Sequence, residues 1–249
     1  MGLDSEITEK PGRRALVTGG AVRVGRAICL TLGKAGYRVA VHYRTSQREA
    51  AATVRDLKRM GGRPAAVRAD LGRPEDIVRM FEEIDDQFGG LDLLVNGAAI
   101  FPRHDARTVS TTEWDDVFAV NVRAAFQCCQ EAARRMGAGS SIVNLTDTGA
   151  DEAWPSYVPY VATKAALVSV TRGLARAWAP EIRVNAVAPG PVLLPESDDS
   201  EEAESAAAAR TVLGRIGSPD DVAIAVLFLD RAVYVTGEVI RVDGGHHLK

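Results

Sequence analysis

The sequence predicts an α/β domain built on a doubly wound parallel sheet, and two observations carry that expectation. From residue 13 onward, short β-branched runs alternate with longer stretches whose apolar residues recur at three-to-four spacing. Glycines follow these stretches where a helix would stop: Gly36, Gly61–Gly62 and Gly89–Gly90. The runs Arg13–Thr18, Tyr37–Tyr43, Pro64–Asp70, Leu91–Asn96, Ser140–Thr146, Ile182–Val187 and Glu238–Val242 read as buried strands. Val24–Ala35, Arg48–Met60, Pro74–Phe88 and Ala162–Trp178 read as helices between them. Such alternation forms βαβ units, which require a parallel sheet with helices on both faces. A chain of 249 residues is near the size at which one core stops growing, so a single domain over 13–249 is expected behind a flexible tail at 1–12.

Composition narrows the function classes. With 46% apolar and 25% charged residues and a net charge of −3, nothing favours nucleic acid or an anionic membrane as partner. The apolar runs are short and broken by charge, so no membrane span is expected, and Met1–Lys10 has no apolar segment that would make a secretory signal. Cys29, Cys128 and Cys129 are odd in number and lack metal-ligand spacing. A disulfide framework and a metal site are therefore not expected, and a cytoplasmic setting is. Glu196–Glu204 holds six carboxylates in nine residues and runs into the alanine-rich Ser205–Arg210. It reads as a solvated helix or, given its place after Pro189-Gly190, as a mobile substrate flap over 196–210.

The first strand ends in Thr18-Gly19-Gly20-Ala21-Val22-Arg23-Val24-Gly25, and a helix opens at once. Glycines let a backbone turn tightly and approach a pyrophosphate, which then rests on the helix N-terminus. Arg23 places a cation inside this turn, where an additional phosphate is favoured. The second strand ends in His42-Tyr43-Arg44-Thr45-Ser46, with no carboxylate before Glu49. A carboxylate there would accept from a ribose 2′-hydroxyl, whereas Arg44 and the two hydroxyls suit a 2′-phosphate, so NADP(H) is the cofactor expected.

Tyr160 and Lys164 stand at i and i+4, on one face of a helix. A free phenol titrates near pH 10, and a neighbouring ammonium is expected to lower that value toward the working range. Tyr157, seven residues from Lys164, is expected to face elsewhere.

In their order, Thr18-Gly19…Gly25, Asn96-Gly97-Ala98, Asn121, Tyr160…Lys164 and Pro189-Gly190 resemble the short-chain dehydrogenase/reductase family. The resemblance runs from about residue 13 to the C-terminus and implies a single-domain Rossmann fold. It also implies a homotetramer packed through helices around Asn121–Arg135 and Ala162–Trp178. In that family the tyrosine handles the substrate proton, the lysine lowers its pKa and holds the nicotinamide ribose, and the asparagine supports a water relay. The residue matching Asp70 lies beside the adenine, and the Pro-Gly pair flanks the nicotinamide. Together with the reading of the turn, the cofactor contacts expected are Gly19, Arg23, Val24, Gly25, His42, Tyr43, Arg44, Thr45, Ser46, Asp70, Leu71, Asn96, Gly97, Ala98, Tyr160, Lys164, Pro189, Gly190 and Val192.

The chain departs from the family pattern where a serine normally polarises the substrate carbonyl: that position is Asp147. Asp147, Arg23, His42-Tyr43 and the terminal Asp243-Gly244-Gly245-His246-His247-Leu248 resemble the pteridine and dihydromonapterin reductases within the family. Phe101 falls where those enzymes stack the pterin, although their pterin-holding serine corresponds to Ala99. A carboxylate beside a forming alkoxide opposes ketone reduction, while beside a pterin it accepts from amino and ring N–H groups. The expected activity is thus NADPH-dependent reduction of a dihydropterin, a small-molecule substrate held by Arg23, Phe101, Asp147 and Tyr160. Asp147, Tyr160, Lys164 and Asn121 form the catalytic set. The alternatives are a carbonyl or 3-oxoacyl reductase that uses Thr146 or Thr148 as its hydroxyl, and a catalytically silent NADP-binding scaffold or sensor.

Overall fold

The computed structural model describes residues 12–194 and 200–249. The expected runs form β1 (Arg14–Thr18), β2 (Arg38–Tyr43), β3 (Ala65–Arg68), β4 (Leu93–Asn96), β5 (Ser140–Leu145), β6 (Ile182–Pro189) and β7 (Val239–Val242). All pair in parallel, in the order β3-β2-β1-β4-β5-β6-β7. Val17 lies abreast of Val41 on one side and Val95 on the other, so the C-terminal strand ends are aligned.

Strand residues alternate between two apolar layers, as period-two geometry requires. Leu16, Leu94, Ile142 and Val184 face α3 (Pro74–Phe88), α5 (Ala125–Ala133) and α6 (Val158–Trp178), through Phe81, Cys128 and Leu174. Ala15, Val17, Val95 and Val143 face α1 (Arg23–Lys34), α2 (Gln47–Arg59) and α8 (Pro219–Arg231), through Ile28, Leu57 and Val226. Helices on both faces make the sheet doubly wound. The chain leaves β1 for β2 on one side and returns through β4 on the other, which opens a crevice above their C-terminal ends.

Two features differ from the pattern the sequence predicts. Helix α6 begins at Val158 rather than Ala162, with Pro159 in its first turn, where a missing N–H costs nothing. Helix α4 (Thr111–Phe118) opens on a Ser110/Glu113 capping box and runs into a π-helical stretch, Ala119–Ala124, before α5. Helix α7 (Glu201–Ala209) precedes α8. The acidic segment expected to form a flap lies partly, at 196–199, outside the described residues. Among the described residues no helix is long and apolar enough to cross a membrane, and no cluster suits a metal ion.

A buried charge fixes α8 to the sheet. Asp230, 2% exposed, accepts from Arg13 Nη2 at 2.8 Å, Tyr37 Oη at 2.5 Å and Ser141 Oγ at 2.5 Å. Arg183 donates to the carbonyls of Leu229 and Asp230, both at 2.6 Å. Tyr37→Phe removes a hydroxyl from a charged acceptor and is expected to cost about 1.5–3 kcal/mol. Thermal unfolding should show a midpoint several degrees lower, and an unchanged midpoint would count against the network.

Candidate active site

Two adjoining clefts open at the crevice. The first, about 360 Å³, is bordered by Gly19, Arg23, Val24, Gly25, His42, Arg44, Asp70, Leu71, Gly97 and Ala98, all residues expected to contact a cofactor. The turn that shapes it leaves no room for side chains: a Cβ on Gly25 would lie 2.1 Å from the Gly19 carbonyl oxygen, and Gly19 itself has φ +69°. Two buried side chains hold the turn. His42 Nδ1 accepts from Gly19 N at 3.0 Å while its Nε2 lies 3.2 Å from the Ala69 carbonyl, and burial pushes its pKa down to about 4. It is a neutral strut. Thr18 Oγ1 accepts from Gly97 N at 3.0 Å and Ala98 N at 3.1 Å. The first-turn N–H groups of α1 have no intrahelical partner, so the site fits a pyrophosphate.

Other expected contacts stand apart from this cleft. Asn96 turns into the core, where its Nδ2 donates to Asn144 Oδ1 at 2.9 Å and Ala125 O at 3.2 Å. Tyr43, Thr45, Ser46, Lys164, Pro189 and Val192 border neither cleft surface, while Tyr160 and Gly190 border the second.

The second cleft, about 530 Å³, contains the proton-handling groups. Tyr160 Oη donates to Asp147 Oδ2 at 2.7 Å, and Asp147 Oδ1 accepts from Gly149 N at 2.8 Å. Burial raises the Asp147 pKa above the ordinary carboxylate range, against the opposing effects of Gly149 N–H, the Tyr160 hydroxyl and the Lys164 charge. Tyr160 is held well above its usual value, first by burial and then by Asp147. The expected lowering of the Tyr160 pKa by Lys164 is thus reversed. Lys164 Nζ donates to the Leu145 carbonyl at 2.9 Å and sits 5.4 Å from the Tyr160 ring centre, so the carboxylate is the closer charge. Burial pushes Lys164 down to about 8. Asn121, in the π-helical stretch, is pinned to Ile100: its Nδ2 donates to the Ile100 carbonyl at 3.0 Å and its Oδ1 accepts from Ile100 N at 2.9 Å.

The walls of this cleft are aromatic. Phe101 stacks on Tyr157 with centroids 4.3 Å apart and planes 1° from parallel, and meets Tyr160 edge-on at 4.4 Å. Tyr157 therefore shares the cleft, contrary to expectation, because it stands just before α6 rather than within it. Thr146 Oγ1 donates to the Val187 carbonyl at 3.1 Å, whereas Thr148 borders the cleft. Arg23 borders both clefts, and its Nη2 donates to the Leu194 carbonyl at 2.9 Å. Sequence reasoning missed Trp154, Leu193 and, as a lining residue, His246, whereas Arg210 falls within the segment expected as a flap. Trp154 alone carried a signal, as a large aromatic in the loop between Asp147 and Tyr160.

A family model described as enoyl-(acyl carrier protein) reductase matches residues 20–247. The chain belongs to the short-chain dehydrogenase/reductase family. It is 37% identical to the 3-oxoacyl-[acyl-carrier-protein] reductase FabG of Staphylococcus aureus, over 96% of this chain and 100% of that protein. A short-chain dehydrogenase from Burkholderia cenocepacia, solved in complex with NADP, superposes with a TM-score of 0.91 at 34% identity, covering 96% of this chain and 100% of that one. The angucycline C-6 ketoreductase LanV, solved with bound NADP, gives 0.91 at 33%, covering 96% and 97%. Membership makes the chain an oxidoreductase with the single-domain Rossmann fold. The carbonyl chemistry in these relatives' names favours the carbonyl-reductase alternative over pterin reduction.

Proposed function

We propose that the chain is an NADPH-dependent carbonyl reductase, of the kind its 3-oxoacyl-reductase relatives are named for. The observation that carries this reading is Tyr160, its hydroxyl kept protonated, at the border of an aromatic cleft beside the dinucleotide turn. NADPH supplies the hydride. Tyr160 gives its proton to the substrate oxygen and regains one from solvent, and Asp147, 2.7 Å from its hydroxyl, retains that proton less tightly when burial favours the neutral carboxyl. In this reading Thr148, which borders the cleft, donates to the carbonyl. Asn121, bonded to Ile100 and Thr163, and Lys164, bonded to the Leu145 carbonyl, brace the elements that carry Tyr160 and Asp147.

A dihydropterin is the second reading, favoured by one observation: Asp147 faces the Phe101–Tyr157 stack, so a planar heterocycle with N–H donors finds both a stacking face and an acceptor. NADPH oxidation measured against a panel of 3-oxoacyl esters, aryl ketones and dihydropterins decides between the two. Turnover of ketones without dihydropterins supports the first, the opposite result the second, and turnover of neither the scaffold.

Cofactor choice follows from Arg44 at the end of β2 and from the absence of a carboxylate before Glu49. NADPH should bind at least about tenfold tighter than NADH, a difference of only about 1.4 kcal/mol. Arg44→Asp should reverse the preference in a direct titration, and equal affinities in the original protein would refute the assignment. Residues 196–210 act in this reading as the substrate flap, since Ala207 and Arg210 border the cleft. The assembly proposed is a homotetramer. Ile224 and Phe228 on α8 and Val233 and Tyr234 beyond it are exposed next to the unpaired edge of β7, and Trp114 and Phe126 are exposed on α4 and α5. Light scattering at micromolar concentration tests it. The buried thiols of Cys29, Cys128 and Cys129 suit the reducing cytoplasm proposed as its setting.

A further inference from the structure

The end of the cleft contributed by α7 and the C-terminal segment has a chemistry that proton transfer does not use. Arg210, the residue closing α7, borders the cleft and is exposed, and among the described residues its guanidinium has no hydrogen-bond or ion-pair partner. Its main chain is held from the other side. His246 Nδ1 lies 3.0 Å from the Arg210 carbonyl, and Lys249 Nζ donates to the Ala209 carbonyl at 2.8 Å. His246 also borders the cleft. The nearby carboxylate of Glu152 is already engaged, accepting from Trp154 Nε1 at 2.7 Å and lying 3.3 Å from His246 Nε2. A cation at a helix C-terminus complements the helix dipole, but that role does not require it to border a cleft walled by Phe101, Trp154 and Tyr157. A guanidinium matches a carboxylate with two parallel hydrogen bonds, and the aromatic walls match a planar ring.

We propose that Arg210 is a specificity-determining residue that reads a carboxylate on the substrate, so that preferred substrates are aromatic or conjugated carbonyl compounds bearing an acid group remote from the reacting carbon. This rests on the carbonyl-reductase reading. The chain's net charge of −3 disfavours anions in general, so selectivity for an acid has to come from the cleft itself.

The test uses 4-acetylbenzoate, whose ketone and carboxylate lie at opposite ends of one ring, and its uncharged counterpart 4-acetylbenzamide. With full-length protein and NADPH, kcat/KM should favour the acid by roughly tenfold or more, the range of a charge-assisted contact. Arg210→Gln should bring the ratio close to one, and Arg210→Lys should retain part of it. Calorimetric titration of both compounds into the NADP⁺-saturated protein should show the same preference in binding. Ketones reduced with no preference for the acid, or a preference that survives Arg210→Gln, would overturn the inference and leave the carbonyl reading intact. Should neither ketone be reduced while the acid still binds more tightly through Arg210, the carbonyl reading falls and the acid-reading role stands. Equal binding of both compounds, with no turnover, overturns both.

Discussion

Tyr160→Phe is expected to lower turnover by about a hundredfold or more while leaving NADPH affinity nearly unchanged. The substitution keeps the ring that meets Phe101 edge-on at 4.4 Å and removes the hydroxyl bonded to Asp147 Oδ2. The proton is lost and the wall remains. A fall in kcat with little change in the NADPH dissociation constant is therefore the signature of a proton donor. Retention of most of the activity would mean that another group, Tyr157 being the nearest phenol in the cleft, protonates the substrate.

Asp147→Ser is expected to move two activities in opposite directions. Ketone reduction should improve, by about tenfold, because a neutral donor replaces a group whose ionised form retains the Tyr160 proton and repels the forming oxyanion. Any dihydropterin reduction should fall by roughly tenfold to a hundredfold, because the heterocycle loses a charged acceptor. The pH dependence gives an independent check. The productive form of Asp147 in carbonyl reduction is protonated, and burial raises its pKa, so wild-type ketone turnover should fall as pH rises through that raised value. The serine variant should lack this limb. Stability carries the same sign. A carboxyl whose folded pKa lies above its unfolded value costs nothing below the ordinary aspartate range. Between the unfolded and the folded value the cost grows with pH, by about 1.4 kcal/mol for each pH unit crossed, and it levels off above the folded value. The serine variant should accordingly be more heat-stable than wild type at neutral pH and no more stable under strongly acidic conditions. A ketone profile unaffected by the substitution would remove Asp147 from the proton path.

The sheet was legible because each central strand is buried on both faces and so reads as a short apolar run bounded by turn residues. Leu93–Val95 and Ile142–Val143 are examples, wholly covered by helices. The glycine turn was legible because only glycine tolerates the contact at Gly25. The direction in which the Tyr160 pKa moves was not. It depends on a 2.7 Å contact and on burial, both set by how the Asp147 loop packs on α6, and spacing along a helix reports neither. The π-helical turn at Asn121 was invisible for a related reason: one extra residue in a turn leaves no mark on a three-to-four pattern. His246 escaped because it reaches the cleft from the chain's end, 86 residues after Tyr160, and although Arg210 lay in the expected flap, no local pattern singles out its side chain.

Arg23 belongs at once to the turn that would receive a dinucleotide and, through its bond to the Leu194 carbonyl, to the chain that follows β6 toward α7. A single side chain common to two binding surfaces makes their occupancies thermodynamically linked, and such linkage is reciprocal: whatever factor the first ligand adds to the affinity of the second, the second adds to the first. Titration of each ligand with and without the other should therefore return one and the same factor, and a factor of one would remove Arg23 as the link.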